Sequence, residues 1–356
     1  MAVATAAEQA APGSKHNIEG SRQAYYDKIA KFHMAPLWEV LKGLVTPEPK
    51  TKYKAAVWKF ADVKRLILEA GGVISAEEAE RRVLVLENPG MPGKSRVTNS
   101  LFAGVQLILP GEVAEVHRHS ASAIRFMLEG EGAYTAVEGE KSQMRHGDFI
   151  ITANWAPHDH GNPGNQPAMW LDVLDMPTVN HFEASFSEHF DEKMQKTNHE
   201  DGDSFERFAS GVLPDGMPAT ANRTPVINYP YSKMRPILER LKNTGDIDKR
   251  HGARVRYANP INGGPVMPTM GAYIALFPKG FKGENYRSTD GMVFACAEGH
   301  GKTIVEGEDT IEWGVNDVFV IPPWKRYHHE PSEESVLFSI SDRPAQEALG
   351  IWREGN

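Results

Sequence analysis

Three histidines between Gly104 and Asn162 constrain this chain more than any other feature, because only a closed β-structure brings all of them to one point. His117 and His119 lie in LPGEVAEVHRHSASAIRF, where apolar and polar positions roughly alternate and turn residues flank the run, the pattern of a half-buried strand. Strand side chains repeat every two residues, so His117 and His119 share a face and Arg118 takes the other. The run EGEGAYTAVEGEKSQMRHGDFIIT then reads as short strands, with Gly130, Gly132, Gly139 and Gly147 as turn punctuation. His158 follows the Trp155-Ala156-Pro157 bend on the next strand.

The spacing resembles the cupin signature. The first cupin motif is Gly, five residues, His-x-His, three or four residues, Glu, six residues, Gly, and Gly111, His117, His119 and Gly130 fit it. Its Glu position falls at Ala123 or Ile124, so the usual fourth ligand is absent. Gly147, His158 and Asn162 fit the second motif, with Ala153 and Trp155 replacing its Pro and Gly. Three neutral imidazoles with open positions suit Fe(II) handling dioxygen, although zinc and manganese accept similar sets. His160 shares the face of His158 on a regular strand and could ligate in its place. The spacing from Gly147 and to Asn162 favours His158.

HRHSASAIRFMLEGEGAYTAVEGE, GDFIITANWAPHDHGN and WLDVLDMP are similar to gentisate 1,2-dioxygenase and to the salicylate and 1-hydroxy-2-naphthoate dioxygenases. The resemblance runs from about Pro36 and is most specific between Arg81 and Pro177. It implies a mainly β bicupin, two double-stranded β-helix barrels from a duplication, with N-terminal and linker helices. It further implies one Fe(II) per chain on His117, His119 and His158, a homotetramer, and ring cleavage between the carboxyl- and hydroxyl-bearing carbons. Gentisate comes first as substrate, giving maleylpyruvate. Salicylate, a 5-substituted salicylate and 1-hydroxy-2-naphthoate are the alternatives, and a non-enzymatic ligand-binding bicupin is a second reading.

The same resemblance places His160 beside the ligands or against the substrate, Arg81 and Gly104 facing the substrate, and Gln106 and Asp172 lining the pocket. Val83 and Phe102 flank these at positions where family members differ. By strand parity, Arg125 projects to the same cavity as His119. A buried guanidinium requires an anionic partner. A substrate carboxylate would serve, and so would Asp172 or Asp175 in the fold itself. Arg81 and Arg82 are adjacent, and the residues alone do not choose between them.

The chain has 356 residues, 40% of them hydrophobic, enough for two barrels. With 39 basic and 47 acidic residues the net charge is -8, and no long basic block offers a nucleic-acid surface. A small aromatic hydroxy acid and O2 are the expected partners. A single cysteine, Cys296, excludes an intrachain disulfide. Neither a membrane span nor the apolar core of a secretory signal is visible, which leads to an expected cytoplasmic location.

In order, residues 1–17 are expected to be disordered and 18–80 helical, with one helix capped by Ser21 and running through Leu44 and a second from Ala61 to Ala70, stopped by Gly71-Gly72. The first barrel is placed at 81–179, a linker with helices such as Tyr231 to Leu241 at 180–252, a second barrel at 253–342 and a terminal helix at 343–356. His181, His189 and His199 have no repeating spacing and read as surface. An internal repeat with an offset of about 169 residues ties Gly130 to Gly299, Asp148 to Asp317 and Trp155 to Trp324. The same offset carries the three histidines to Tyr286, Ser288 and Tyr327, so the second barrel is expected to keep its shape without a metal. His328 and His329 fall close by, but adjacent strand residues face opposite ways.

Overall fold

The computed structural model describes residues 18–217 and 222–355; the expected disorder of 1–17 lies outside them. The chain divides into residues 1–50 and 51–356. In the smaller unit the single helix expected from Ser21 to Leu44 is two, Ile18–Ala30 and Leu37–Leu44. His33 adopts a left-handed φ of 56° at the break, and Pro36 precedes the second helix, so the helical ladder cannot continue. Ser21 lies inside the first helix rather than at its cap. Leu37, Trp38, Leu41 and Leu44 are all exposed.

The larger unit is the expected pair of barrels, and each is built on a six-stranded antiparallel sheet. In the first, Ala123–Glu129 and Ala168–Leu174 are central and Phe102–Ile108 follows. Met292–Glu298, Ser335–Ser341 and Gly271–Phe277 repeat that order in the second. The two sheets pack face to face. Phe126 stacks on Phe338 with ring centroids 4.3 Å apart, in a core that also holds Phe149, Tyr229 and Tyr257.

The repeat reaches further than the sequence showed. The strand Ala56–Trp58 and the helix Phe60–Val73 have counterparts in Asn228–Tyr229 and Tyr231–Thr244. Each leading strand joins the sheet of the other barrel: Ala56–Trp58 pairs with Val318–Ile321, and Asn228–Tyr229 pairs with Phe149–Thr152. Residues 56–73 and 228–244, within the expected helical segment and linker, are therefore structural parts of the two barrels. The helix expected to stop at Gly71-Gly72 runs through both glycines to Val73, because Gly71 packs against Leu107 and Leu109. The helix from Tyr231 extends past Leu241 to Thr244 and ends on Gly245, whose left-handed φ of 83° suits a residue without a Cβ. The C-terminal helix is Arg343–Ala348, earlier than its apolar residues suggested.

Inside the second barrel, aromatic rings fill the space. Phe294 stacks on Phe319, Trp313 lies parallel to Phe319, and His329 meets Phe277, Phe294 and Tyr327 edge-on. Burial first, and then His251 and Arg254, push the His329 imidazole down to about 3. An unfolded imidazole titrates near 6.5. Between these values the unfolded chain takes up a proton that the folded chain refuses, so acid favours unfolding. Each such imidazole removes about 1.4 kcal/mol of stability per pH unit below about 6.5. Urea midpoints measured from pH 7.5 to 5 should fall, and His329→Gln should flatten the fall; an unchanged slope would show that His329 is not among the groups responsible.

Candidate metal centre and substrate cavity

The strand Val113–His119 carries His117 and His119, and His158–Gly161 pairs with it antiparallel so that His158 lies directly opposite His117. Trp155, at a left-handed φ of 63°, turns the chain into that strand, and its N–H donates to the carbonyl of His119 at 2.8 Å. One potential ligand atom from each of His117, His119 and His158 lies within 4.8 Å of the others, and this is the one such His/Cys/Asp/Glu group among the described residues.

Tautomers follow from the partners. Nδ1 of His119 donates to the Ala121 carbonyl at 2.7 Å and Nδ1 of His158 to Ala156 at 3.0 Å, whereas Nδ1 of His117, 3.3 Å from the Glu115 carbonyl, also meets the Arg81 guanidinium, which can only donate to it. Holding Nδ1–H on a carbonyl leaves Nε2 with its lone pair exposed, the form in which imidazole ligates. Burial and the nearby arginines push all three groups down, joined at His117 and His158 by neighbouring imidazoles, His117 to about 3 and His158 well below its usual value. Each shift is toward the neutral imidazole, the form that binds a metal. This donor set fits a divalent transition metal with open positions.

A cavity of about 200 Å³ opens on the three imidazoles, bounded by Arg81, Val83, Phe102, Gln106, Arg125 and Asp172 among others. The choice between the two arginines is resolved here. Arg82 is buried on the opposite face and clamps Glu112 with two 2.8 Å bonds, while Arg81 lines the cavity, donates to the Glu115 carbonyl at 2.6 Å and lies against His117. Burial and then the Arg125 charge lower the Arg81 guanidinium to about 10, and its hydrogen-bond acceptors are the backbone carbonyls of Glu80 and Glu115 and the Nδ1 of His117.

Arg125 does face the cavity, and it also takes the structural partner. Its Nε lies 3.1 Å from Asp172 Oδ1, with both side chains almost fully buried. The contact is poorly aligned, so neither atom completes a hydrogen bond. Arg125 also donates to the Thr152 hydroxyl, and Trp170 Nε1 holds the other Asp172 oxygen at 2.9 Å. Asp175 is not involved; it accepts from the Ser122 N–H at 2.7 Å.

Gly104 sits opposite Asp172 in the sheet and so shares the face of Phe102, Gln106 and Asp172, behind the Val83 side chain. A Cβ at Gly104 would lie 2.5 Å from Val83 Cγ1, so this glycine sets how close the Val83 wall stands. His160 is fully buried behind His158, 5.3 Å from Trp170, and neither ring nitrogen has a partner. The second barrel shows how unusual that is. His329, on the equivalent strand, meets the hydroxyl of Thr303 directly across from it at 2.8 Å. Thr135, across from His160, turns its hydroxyl to the Asp159 carbonyl instead. Bare polar atoms in a native interior mark a place where function outweighs satisfaction.

Sequence reasoning missed Ala123, Leu174 and Met176 on the cavity wall and Thr152 behind it. Leu174 shares parity with Asp172, a signal that could have found it. His189, read as surface, is exposed yet lies on the strand Ser187–His189, opposite His117, with its ring stacked 6.1 Å away. His181 and His199 stay outside the cavity.

Comparison with known proteins agrees with this geometry. The cupin domain family model matches residues 104–174. A gentisate 1,2-dioxygenase of Aquipseudomonas alcaligenes is 46% identical over 340 residues, covering 96% of this chain and 98% of that protein. The chain belongs to the gentisate 1,2-dioxygenase family. A 5-aminosalicylate 1,2-dioxygenase of Comamonas sp. in the same family is 33% identical, covering 93% of this chain and 89% of that protein. Among solved structures, a salicylate 1,2-dioxygenase of Pseudoaminobacter salicylatoxidans, described as adducts with gentisate, superposes with a TM-score of 0.89 at 29% identity, covering 98% of this chain and 96% of that one. The bicupin fold and the ring-cleaving dioxygenase class expected from the sequence are thereby borne out, and family membership replaces the non-enzymatic reading. Among the described residues no helix is long and apolar enough to cross a membrane.

Proposed function

We propose that His117, His119 and His158 hold one Fe(II) and that the enzyme cleaves gentisate between its carboxyl- and hydroxyl-bearing carbons, giving maleylpyruvate with both atoms of O2 incorporated. The observation that carries this reading is that the buried Arg125 guanidinium and the half-buried Arg81 guanidinium face the same cavity as the three clustered imidazoles. Cations so placed call for an anion beside the metal site, and a carboxylate accepts two parallel N–H bonds from one guanidinium.

A ferrous ion held there would supply adjacent open positions and a path for electrons between ring and dioxygen. The protein contributes the rest. Arg125 and Arg81 orient the carboxylate, and Val83, Phe102, Leu174 and Met176 shield the ring from water. His160, with both ring nitrogens free 5.8 Å from the His158 ring, is the base we assign to the phenolic proton, reached past the cavity wall rather than from it. Burial holds its imidazole well below the usual value, with Arg125 and Arg81 adding to the effect. An arriving carboxylate offsets both positive charges, so His160 gains basicity only once substrate is bound.

The cavity size favours one ring over two, since about 200 Å³ lies below the ~300–1,000 Å³ of common ligand sites. That places 1-hydroxy-2-naphthoate behind gentisate, while the apolar Val83, Phe102, Leu174 and Met176 keep salicylate and 5-substituted salicylates as the second reading. Anaerobic reconstitution with Fe(II), followed by oxygen uptake on gentisate, salicylate, 5-aminosalicylate and 1-hydroxy-2-naphthoate, should rank gentisate first. Arg125→Ala should keep its iron and raise KM about tenfold or more. Iron-loaded protein with no uptake on any of the four would overturn the substrate assignment. The exposed Leu37, Trp38, Leu41 and Leu44 support a homotetramer, which sedimentation of the same samples reads.

A further inference from the structure

Polar contacts that hold the fold occur in both barrels. Asp148 accepts from the Arg145 and Tyr231 N–H groups at 3.2 and 2.9 Å, and Asp317 accepts from those of Gly314 and Phe60 at 3.0 and 2.7 Å. Asp175 accepts from the Ser122 N–H and the Thr269 hydroxyl, and Asp342 from the Gly291 N–H and the Ser100 hydroxyl. The polar chain behind the first cavity, Thr152, Arg125, Asp172 and Trp170, occurs once. Arg125 pairs with Asp172 where Phe294 pairs with Ser339, Met127 with Trp170 where Cys296 pairs with Leu337, and Ala123 with Thr152 where Met292 pairs with Ile321. All four members are therefore replaced together, by Ile321, Phe294, Ser339 and Leu337, in the barrel whose histidine positions hold Tyr286, Ser288 and Tyr327. A barrel of this kind closes without the chain, so its members serve the cavity and not the fold.

Within that chain the ion-pair partner is not what fixes the direction of Arg125. The 3.1 Å contact of its Nε with Asp172 Oδ1 is misaligned, and neither atom completes a hydrogen bond. A charge contact attracts the guanidinium without setting its plane, whereas a hydrogen bond weakens steeply away from linearity. Among the described residues the one hydrogen bond of the Arg125 guanidinium runs from Nη1 to the Thr152 hydroxyl. Register explains the reach. Arg125 pairs with Ile150, so Thr152, two residues further on, is its diagonal neighbour on the same face of the sheet. Thr152 is fully buried, out of competition with water. With Nη1 held there, Nη2 has no hydrogen-bond partner among the described residues, and the side chain lines the cavity.

We propose that Thr152 is the positioning residue that aims Arg125 at the substrate carboxylate, an assignment that rests on the reading of Arg125 given above and deepens it. Asp172, its other oxygen held by the Trp170 indole at 2.9 Å, offsets the buried charge from behind. Thr152 sets the plane in which the remaining N–H groups meet the substrate. Two parallel bonds to one carboxylate depend on that plane, so a tilt weakens both at once. Loss of a single hydroxyl is then read in substrate affinity, with the metal ligands and the sheet untouched.

Anaerobic equilibrium dialysis of the iron-loaded enzyme with gentisate tests it. Thr152→Val, which exchanges the hydroxyl for a methyl of like size, should weaken gentisate about tenfold while iron content and circular dichroism match wild type. Thr152→Ala should show the same loss where valine is not tolerated, and Thr152→Ser, which keeps the hydroxyl, should restore wild-type affinity. Added to Arg125→Ala, Thr152→Val should weaken binding no further, because it acts through that guanidinium. Thr303→Val is the structural control. It removes a fully buried hydroxyl of the second barrel, bonded to His329 and to the Trp313 indole, and should leave affinity unchanged. Wild-type affinity in Thr152→Val or Thr152→Ala overturns the proposal while Arg125→Ala still binds poorly, and so does a full further loss on the Arg125→Ala background. Normal binding by Arg125→Ala itself would remove the carboxylate reading, and this assignment with it.

Discussion

His119→Ala is expected to leave the first barrel without bound iron and to reduce oxygen uptake about a thousandfold or more. The reduction follows from losing several kcal/mol of metal-supplied stabilisation, at about 1.4 kcal/mol per factor of ten. The fold should survive, because His119 lies at the rim of the barrel and its one polar anchor is the Ala121 carbonyl. Metal content by atomic absorption, circular dichroism and uptake on the same preparation check all three statements. His329→Ala is the matched control. It removes a buried imidazole from the equivalent strand of the second barrel, where aromatic rings surround it and no other histidine completes a ligand group. Its iron content should match wild type. Full iron in His119→Ala would remove this residue from the ligand set.

The second large effect concerns stability. Asp172→Ala leaves the Arg125 guanidinium buried without its carboxylate, and breaking a buried pair on one side costs about 3–5 kcal/mol. Trp170 Nε1 loses its acceptor in the same step. The melting temperature of the iron-free protein should drop by several degrees. Arg125→Met combined with Asp172→Ala should recover much of that loss, since no orphaned charge remains. Both variants should bind substrate poorly, so the pair is separable by stability and not by activity. An unchanged melting temperature in Asp172→Ala would mean that water or the misaligned geometry already leaves Arg125 unpaired in the native enzyme. Burying this pair in a cavity wall costs stability that an apolar wall would keep, and under the proposed function the gain is a fixed cation beside the substrate carboxylate.

Much of the site could be read from the chain. His117, His119 and His158 meet because period-two alternation and the motif glycines fix which faces they share, and both are local properties. Gly130 shows the local logic: its φ of 112° brings it so near Pro167 and Ala168 that a Cβ would lie 2.6 Å from their backbone. The residues at the equivalent positions of the second barrel, Tyr286, Ser288 and Tyr327, were legible by the same means, through an offset of 169 residues. What could not be read were choices that depend on partners far away in sequence. Arg81 and Arg82 alternate as any neighbours do, and Glu112 across the sheet captures one of them. Asp172 and Asp175 were equal candidates for Arg125 until the register placed Asp172 opposite it.

The amino-acid sequence by itself determined that this protein is a duplicated β-barrel chain with a three-histidine cluster in its first barrel and Tyr286, Ser288 and Tyr327 at the equivalent positions of its second. Spacing sets that outcome, and spacing is carried by the chain alone. Only the tertiary structure decided that each half sends its leading strand into the sheet of the other, that Arg81 faces the cavity, and that Arg125 is shared between Asp172 and the site. Those decisions depend on which strand edges and which buried charges find each other, and such pairings are settled by packing the whole molecule at once.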